Sequence, residues 1–181
     1  MKMSMSNPAI SILMPAYNVE KYIGEAIDSM LNQTFKDFEF IIVDDASTDG
    51  TLSAVQKYTD PRVKIIRNEK NAKLAASLNK GLQIVRGKYI ARMDADDISH
   101  PERLQKLYDF LEKNPAIDMC GSAMKVFGAG EESVWEYKTE DKVIKAGLLW
   151  TSTMPHGAVM MRAETILKHK LYFDETFLIG Q

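Results

Sequence analysis

Apolar and polar positions along the chain predict strands and helices in alternation. Short apolar runs bounded by proline, asparagine, aspartate or glycine are typical of buried strands. Four such runs occur, at Ala9–Met14, Phe38–Val43, Val63–Ile66 and Lys88–Met93. Between them, apolar residues recur every three to four positions, as they do on one face of a helix.

Three of the intervening segments carry a clear apolar stripe, and "ASTDGT" supplies capping residues for a fourth, short helix. The stripes are Ile23, Ala26, Ile27, Met30 and Leu31; Leu74, Leu78, Leu82 and Val85, closed by Gly87; and Leu104, Leu107, Tyr108 and Leu111, after Pro101. Strand and helix alternate over about the first 115 residues, so we expect an α/β fold with a mostly parallel central sheet and helices on both faces.

The pattern changes in the last third of the chain. "MCGSAMKVFG" and "SVWEYK" each read as one strand, joined through Gly128, Gly130 and Glu131, and a helix follows near Asp141–Leu149. No linker or repeat divides the sequence, which predicts a single domain over residues 1–181. The sequence stops within an apolar run, so we expect it to be truncated at its C-terminus.

Polar residues cluster where three of the predicted strands end. Open parallel sheets bind ligands beyond the carboxyl ends of their strands. The residues found there are Pro15, Ala16, Tyr17 and Asn18; Asp44 and Asp45; and Asp94, Asp96 and Asp97. A single aspartate after a strand is more often a turn or cap residue, but three clusters at one edge favour a ligand site.

The stretch "MDADDISHP" places three carboxylates within four residues, and their mutual repulsion requires some compensating charge. Asp94 and Asp96 suit a magnesium or manganese ion, which prefers oxygen ligands. The alternative is that the acids cap the helix that begins near Pro101, which explains Asp97 and Ser99 but not Asp94. We therefore predict a metal contact for Asp96 and a capping role for Asp97.

Composition narrows the function classes. The net charge of −2, with 27% charged residues, argues against nucleic acid as the main partner. Cys120 is the single cysteine and lies in an apolar run, which predicts a core residue and a reducing compartment. No apolar run is long enough to span a bilayer, and the first residues lack the apolar core of a signal peptide. We expect a cytoplasmic protein without a transmembrane segment in this chain.

Two common nucleotide-binding motifs are absent. No G-x-G-x-x-G follows the first strand, and no G-x-x-x-x-G-K-[ST] occurs anywhere. These absences weigh against a dinucleotide-binding enzyme and against a P-loop nucleoside triphosphatase.

Five stretches resemble, in order and spacing, the blocks of the family 2 glycosyltransferases with the GT-A fold, a Rossmann-like fold of nucleotide-diphospho-sugar transferases. They are "ISILMPAYN", "FEFIIVDDASTDGT", "NAKLAASLNKGL", "GKYIARMDADDISHPERL" and "PHGAVMMR". Similar members are bacterial enzymes of capsule, exopolysaccharide or lipopolysaccharide synthesis. The resemblance implies a hexosyltransferase-like enzyme that moves a sugar, with inversion, from a nucleotide-sugar donor, a UDP-sugar, to a saccharide or lipid-linked acceptor.

The resemblance also implies roles in donor binding. Pro15, Ala16 and Tyr17 would form the wall against which the nucleobase packs, with Tyr17 stacking on it. Asp45 would accept a hydrogen bond from the base, and Asp44 would be structural.

The motif Asp94–Ala95–Asp96 corresponds to the family's DXD motif. Asp94 would face the ribose or the metal. Asp96 would hold Mn²⁺ or Mg²⁺ against the diphosphate, where the cation would offset the charge on the departing nucleotide.

Three further residues keep two interpretations each. Glu20 falls at a donor contact of the family, or it stabilises a helix N-terminus. Lys73 lies near the diphosphate, or it is a solvated lysine. His156 approaches the metal or the acceptor side, or it is a structural histidine.

The sequence also departs from the family pattern. Ala72 and Ser77 stand where many relatives have glycine and arginine. The acidic block that supplies the general base is expected beyond Gln181, so this chain would hold mainly the donor site and could be inactive. A non-catalytic nucleotide-sugar binding module and, more distantly, a sugar nucleotidyltransferase are the alternatives. The full-length protein would work in the cytoplasm, with docking at the inner face of the membrane left open.

Overall fold

The computed structural model describes residues 7–128 and 132–176. The strands are β1 Ile10–Ala16, β2 Phe38–Asp44, β3 Val63–Arg67, β4 Tyr89–Arg92, β5 Met119–Gly121, β6 Met124–Val126, β7 Ser133–Trp135 and β8 Val159–Arg162. The helices are α1 Ile23–Leu31, α2 Thr51–Val55, α3 Lys73–Leu82, α4 Arg103–Lys113, α5 Asp141–Gly147 and α6 Ala163–Lys168. The order confirms the predicted alternation of strand and helix.

Six strands form the main sheet, in the order β3-β2-β1-β4-β8-β5. Strands β1 to β4 pair in parallel, whereas β8 runs antiparallel between β4 and β5. The mostly parallel α/β sheet predicted from the sequence is therefore confirmed. The crossover helices that parallel pairing requires cover both faces.

Each face of the sheet has its own apolar core. Alternate residues of a strand point to opposite faces, so Ile12 of β1 packs in the cluster with α1 and α4, whereas Leu13 packs in the cluster with α3. Gly81 of α3 lies so close to β1 that a Cβ there would sit 2.1 Å from Cδ1 of Leu13. The helix thus presses a small residue directly against the strand that carries the centre of the site.

The prediction of one strand over "MCGSAMKVFG" is wrong. The segment divides between β5, which pairs with β8 in the main sheet, and β6, which pairs with β7 in a separate two-stranded sheet. The second predicted strand, "SVWEYK", is confirmed as β7, which pairs antiparallel with β6. Gly128 has a positive φ of 113°, and Gly130 and Glu131 lie outside the described residues.

The predicted capping role of Asp97 is also wrong, because Glu102 is the N-cap residue of α4 and, within the described residues, no hydrogen bond joins the Asp97 side chain to this helix. The buried amide of Gln33, just after α1, serves the helix start instead. Its Oε1 accepts the N–H of Leu104 at 3.0 Å, and its Nε2 donates to the carbonyl of His100 at 2.8 Å and to Oγ of Ser99 at 3.2 Å. Gln33, which is distant in sequence, therefore caps the helix start that the local sequence pattern had assigned to Asp97.

A buried carboxylate joins three strands on the edge of the sheet where parallel strands begin. Glu39 of β2 accepts hydrogen bonds from Oγ of Ser11 at 2.6 Å, from the N–H of Arg86 at 2.8 Å and from Nζ of Lys64 at 2.7 Å. Burial alone would raise the pKa of Glu39, but the donors from Lys64, Ser11 and Arg86 together hold it below its ordinary value.

We expect Glu39→Ala to lower the free energy of unfolding by about 1–3 kcal/mol at pH 7, because it leaves the buried hydroxyl of Ser11 without its acceptor. A lowered folded pKa stabilises the fold above the unfolded pKa, and that stabilisation is lost as the pH falls through the folded value. The difference between wild type and variant in urea denaturation should therefore shrink below about pH 4.5.

Glu69→Ala is the control, since it removes an exposed carboxylate of the same charge. It should leave stability almost unchanged. A difference between wild type and Glu39→Ala that stayed constant down to pH 3 would contradict the role assigned to Glu39.

Candidate active site

Parallel pairing brings the ends of three strands to one edge of the sheet. Strand β1 lies between β2 and β4, and the N–H of Asp45 donates to the carbonyl of Ala16 at 2.8 Å. Adjacent strands lie about 4.8 Å apart, so the ends of β2 and β4 are about 10 Å from each other. The residues grouped at this edge are Pro15, Ala16, Tyr17, Asp45, Asp94, Ala95 and Asp96.

The ring of Tyr17 is available to a ligand. Ala16 is buried within β1, and Pro15 is half-buried. Tyr17 directly follows the strand with 44% of its surface exposed. An aromatic face next to the Asp45 carboxylate combines an apolar surface with a hydrogen-bond acceptor.

The loops after β1 and β2 are fastened to each other. Oδ1 of Asn18 accepts the N–H of Thr48 at 2.8 Å, and Oγ1 of Thr51 accepts the N–H of Val19 at 2.8 Å. Asn18 and Ala46 both have positive φ, 52° and 58°. Left-handed backbone conformations are rare for residues other than glycine, and they concentrate at functional sites. These hydrogen bonds join the two loops, residues 17–22 and 45–50, into one rim at this edge of the sheet.

Glu20 belongs to the same fastening. Its Oε2 accepts the N–H of Gly50 at 3.0 Å, and its own N–H donates to Oδ2 of Asp49 at 3.1 Å. The carboxylate therefore lies at the start of α2, where the partial positive charge of a helix N-terminus favours it.

Asp45 is buried and accepts three hydrogen bonds from the chain. Its Oδ1 takes Nδ2 of Asn68 at 2.7 Å and the N–H of Ala72 at 2.8 Å. Its Oδ2 takes the N–H of Lys73 at 2.8 Å. Lys73 has a φ of 76° at this contact, so the loop that leads into α3 is bent around the carboxylate.

Two residues of this network, Asn68 and Ser77, were not predicted from the sequence to contribute to the site. Ser77 is buried, and its Oγ accepts the second N–H of the Asn68 amide at 2.9 Å. Nothing in the local sequence signals this contact, because it depends on the approach of α3 to the ends of β2 and β3. The side chain of Lys73 is exposed and forms no ion pair within the described residues.

Asp44 has the structural position that the sequence analysis assigned to it. It is fully buried, and its Oδ1 accepts the N–H of Ser47 at 3.3 Å. Nε of Arg67 lies 3.3 Å from Oδ2, as an ion pair without hydrogen-bond geometry.

Two buried arginines lie behind the acidic cluster. Arg92 forms an ion pair with Asp94, and Arg103 donates to the carbonyls of Gly157 at 2.9 Å and of Arg92 at 3.2 Å. Burial lowers the pKa of Arg103 to about 10, so it remains a cation at neutral pH. From the sequence, only a metal ion was expected to compensate the repulsion between the three carboxylates. In the structure, the cations Arg92 and Arg103 also compensate it.

The three carboxylates of the cluster differ in surroundings. Asp97 is half-buried, and burial, followed by the charges of Asp94 and Asp96, raises its pKa. Asp96 is exposed and has no hydrogen bond or ion pair to any residue of the described chain. Asp96 is therefore the carboxylate that is free to meet a ligand.

The turn before β8 packs onto this cluster. A Cβ at Gly157 would lie 2.4 Å from Oδ2 of Asp94 and 2.9 Å from Oδ2 of Asp97, so only glycine fits without displacing them. The neighbouring His156 packs edge-on against Phe173, with ring centroids 5.4 Å apart. Burial first, and then the charge of Arg92, lowers the pKa of His156 to about 4, against the opposing effect of Asp94. The imidazole is neutral at pH 7 and lines an apolar cavity of about 280 Å³.

Within residues 7–128 and 132–176, no three His, Cys, Asp or Glu side chains converge as a metal site. Magnesium is often held by one or two carboxylates together with substrate phosphates and water. The pair Asp94 and Asp96 fits this partial donor set, because Asp96 is unpartnered and exposed.

Cys120 is half-buried and packs against the core cluster rather than within it, and this burial raises the pKa of its thiol to about 11. Among the helices of the described residues, none is long and apolar enough to cross a membrane.

Proteins described as glycosyltransferases are similar to this chain in sequence. EpsE of Bacillus subtilis (strain 168) is 42% identical over 171 residues, which are 92% of this chain and 61% of EpsE. The O-antigen biosynthesis glycosyltransferase WbnJ of Escherichia coli is 34% identical over 168 residues, 90% of this chain and 65% of WbnJ. The chain thus spans about 60% of the length of the first of these relatives.

Solved structures show the same fold. The chain superposes on S. aureus TarS 1-349 in complex with UDP with a TM-score of 0.74 at 27% identity, covering 92% of this chain and 50% of TarS 1-349. The complex of the same protein with UDP-GlcNAc gives 0.75 at 28% identity, covering 91% and 48%. These are GT-A enzymes, as the sequence analysis expected.

The model of the family described as glycosyl transferase family 2 matches residues 11–175. That match includes the ends of β1, β2 and β4 and the turn before β8, where the candidate site lies. The chain therefore belongs to glycosyl transferase family 2.

Proposed function

We propose that this domain binds a UDP-sugar and transfers its sugar, with inversion, to a saccharide or lipid-linked acceptor in cell-surface polysaccharide synthesis. The observation that carries the proposal is the meeting of the exposed ring of Tyr17, the buried carboxylate of Asp45 and the unpartnered carboxylate of Asp96 at one sheet edge. The UDP and UDP-GlcNAc in the TarS complexes and the O-antigen role in the name of WbnJ support it.

The base and the diphosphate occupy opposite sides of β1 in this proposal. Pro15, Ala16 and Tyr17 form the wall for the uracil ring, and Asp45 accepts a hydrogen bond from it. The separation of about 10 Å between the ends of β2 and β4 lets one nucleotide reach both groups. Lys73 is exposed at the start of α3 and its N–H lies beside Asp45, on the base side of β1, so its long side chain would have to extend past the base to approach the diphosphate.

Asp96, with Asp94, would hold Mn²⁺ or Mg²⁺. The cation supplies electrostatic stabilisation of the negative charge that develops on the departing nucleoside diphosphate. Asp94 is shared with Arg92 in the structure, so Asp96 is the stronger candidate ligand and Asp94 contacts the cation or the ribose.

The remaining residues orient the donor. Glu20 holds the loop that follows Tyr17 against Gly50. His156 packs against Phe173 next to the turn that contacts Asp94, and its neutral imidazole would border the metal or acceptor side of the site. The acceptor hydroxyl attacks the anomeric carbon opposite the leaving diphosphate and gives up its proton to a base. The single cysteine, Cys120, suits a reducing compartment, and we place the reaction in the cytoplasm.

Calorimetric titration of the 181-residue chain with UDP tests the metal contact. We expect binding to strengthen when Mn²⁺ replaces EDTA, and Asp96→Ala to remove at least about tenfold of that gain, because it deletes the free carboxylate. Asp37→Ala removes the same charge just before β2, at the opposite end of the strand, and should leave the Mn²⁺ effect intact. UDP binding of equal strength in EDTA and in Mn²⁺ would refute metal dependence.

The stacking role of Tyr17 is tested by the same titration. Loss of stacking on an aromatic ring costs about 1–3 kcal/mol per base, so Tyr17→Ala should raise the Kd for UDP by about 5- to 150-fold. Tyr17→Phe keeps the ring and should stay close to wild type. If both variants bound UDP like the wild type, the base would have to lie elsewhere.

A further inference from the structure

We propose that Asn68 is a positioning residue for nucleobase recognition, because it fixes the Asp45 carboxylate so that one acceptor position faces the donor. The inference rests on the function proposed above and extends it to a residue outside the candidate site derived from the sequence. Asn68 directly follows β3, at the same sheet edge as Asp45, and only 7% of its surface is exposed.

The side-chain amide of Asn68 is hydrogen-bonded at both ends, and so is its backbone N–H. Its Nδ2 donates to Oδ1 of Asp45 at 2.7 Å and to Oγ of Ser77 at 2.9 Å. Its Oδ1 accepts Nζ of Lys80 at 2.7 Å, and its backbone N–H donates to the carbonyl of Asp44 at 2.8 Å. Both amide N–H donors and the amide oxygen are bonded, so the buried side chain is held in this orientation.

The chemistry of the partners fixes which way the amide points. Lysine only donates and an ionised carboxylate only accepts. The oxygen of the Asn68 amide must therefore face Lys80, and its nitrogen must face Asp45. Lys80 is held in turn by the carbonyl of Arg67 at 3.0 Å, so the orientation is anchored in β3.

This arrangement decides which oxygen of Asp45 is free. A carboxylate has about four acceptor positions, two on each oxygen. Oδ1 is filled by Asn68 and Ala72, whereas Oδ2 takes the N–H of Lys73 alone. Asn68 thus holds Oδ1 inward and leaves one position on Oδ2 for an N–H of the base.

A fixed acceptor has consequences for specificity. Uracil presents an N–H at N3 of its Watson–Crick edge, whereas cytosine presents an acceptor at the same atom. A carboxylate aimed at this position favours UDP over CDP, because the cytosine nitrogen would face it without a proton between them. If Asp45 loses its anchor, it turns away, and the preference for UDP falls.

The test is a calorimetric comparison of UDP, CDP and pyrophosphate in Mn²⁺, with wild type and Asn68→Ala. We expect the Kd for UDP to rise about tenfold, the ratio of the CDP and UDP constants to fall, and pyrophosphate binding to stay unchanged. In the double variant with Asp45→Ala, the Asn68 substitution should add little, since both act through one carboxylate.

Asn79→Ala is the matched control. Asn79 lies on α3 and also bonds through both ends of its amide, to the carbonyl and the N–H of Phe173 at 2.9 Å each. It should leave the UDP preference unchanged. Should Asn68→Ala fail to fold, Lys80→Met removes the partner of the amide oxygen, and we expect a smaller change in the same direction.

Three results would overturn the inference. Unchanged UDP affinity and preference in Asn68→Ala would show that Asp45 needs no anchor. Equal losses for UDP, CDP and pyrophosphate would indicate a collapsed loop, which is a purely structural role. Failure of the wild type to bind any nucleotide in Mn²⁺ would instead overturn the proposed function, and this inference with it.

Discussion

The parallel pairing of β1 with β2 on one side and β4 on the other is the constraint on which the site depends. Parallel strands end at the same edge of the sheet. Asp45 and Asp96, about 30 and about 80 positions after Tyr17, therefore lie near it because of strand pairing alone, and no contact between the loops is required. The hydrogen bond from Asp45 to the carbonyl of Ala16 extends this register one residue past β2. Gly81, pressed against Leu13, keeps α3 close enough for its first residues to reach Asp45.

Charge balance is the second determinant of the site. Three carboxylates follow β4, and two buried arginines, Arg92 and Arg103, face them. A buried cation without a counter-charge is strongly destabilising, so the acids also serve the fold. Asp96 is exposed and has no hydrogen bond or ion pair within the described residues, so it does not contribute to this charge balance through a direct contact. The site therefore combines carboxylates that hold the protein together with one that is available to a ligand.

The residues of the rim show the same combination. Asn18, Ala46 and Lys73 have positive φ. Asn18 and Lys73 are themselves hydrogen-bonded to other loops, and Ala46 lies between Asp45 and Ser47, whose N–H groups are both hydrogen-bonded. Such conformations persist only where the surroundings over-determine them. The polar network from Lys80 through Asn68 to Asp45 gives this edge a fixed geometry before any donor arrives.

The sequence by itself determined the alternation of strands and helices, the parallel sheet and the grouping of polar residues at strand ends, because these follow from local periodicity. It also predicted that Asp45 and the acidic motif after β4 belong to a ligand site. Tertiary structure alone decided that Gln33 caps α4, that "MCGSAMKVFG" divides between two sheets, and that Asn68 donates a hydrogen bond to Asp45. Each of these depends on which side chain from a distant element reaches a buried polar group, and hydrophobic periodicity carries no information about that partner.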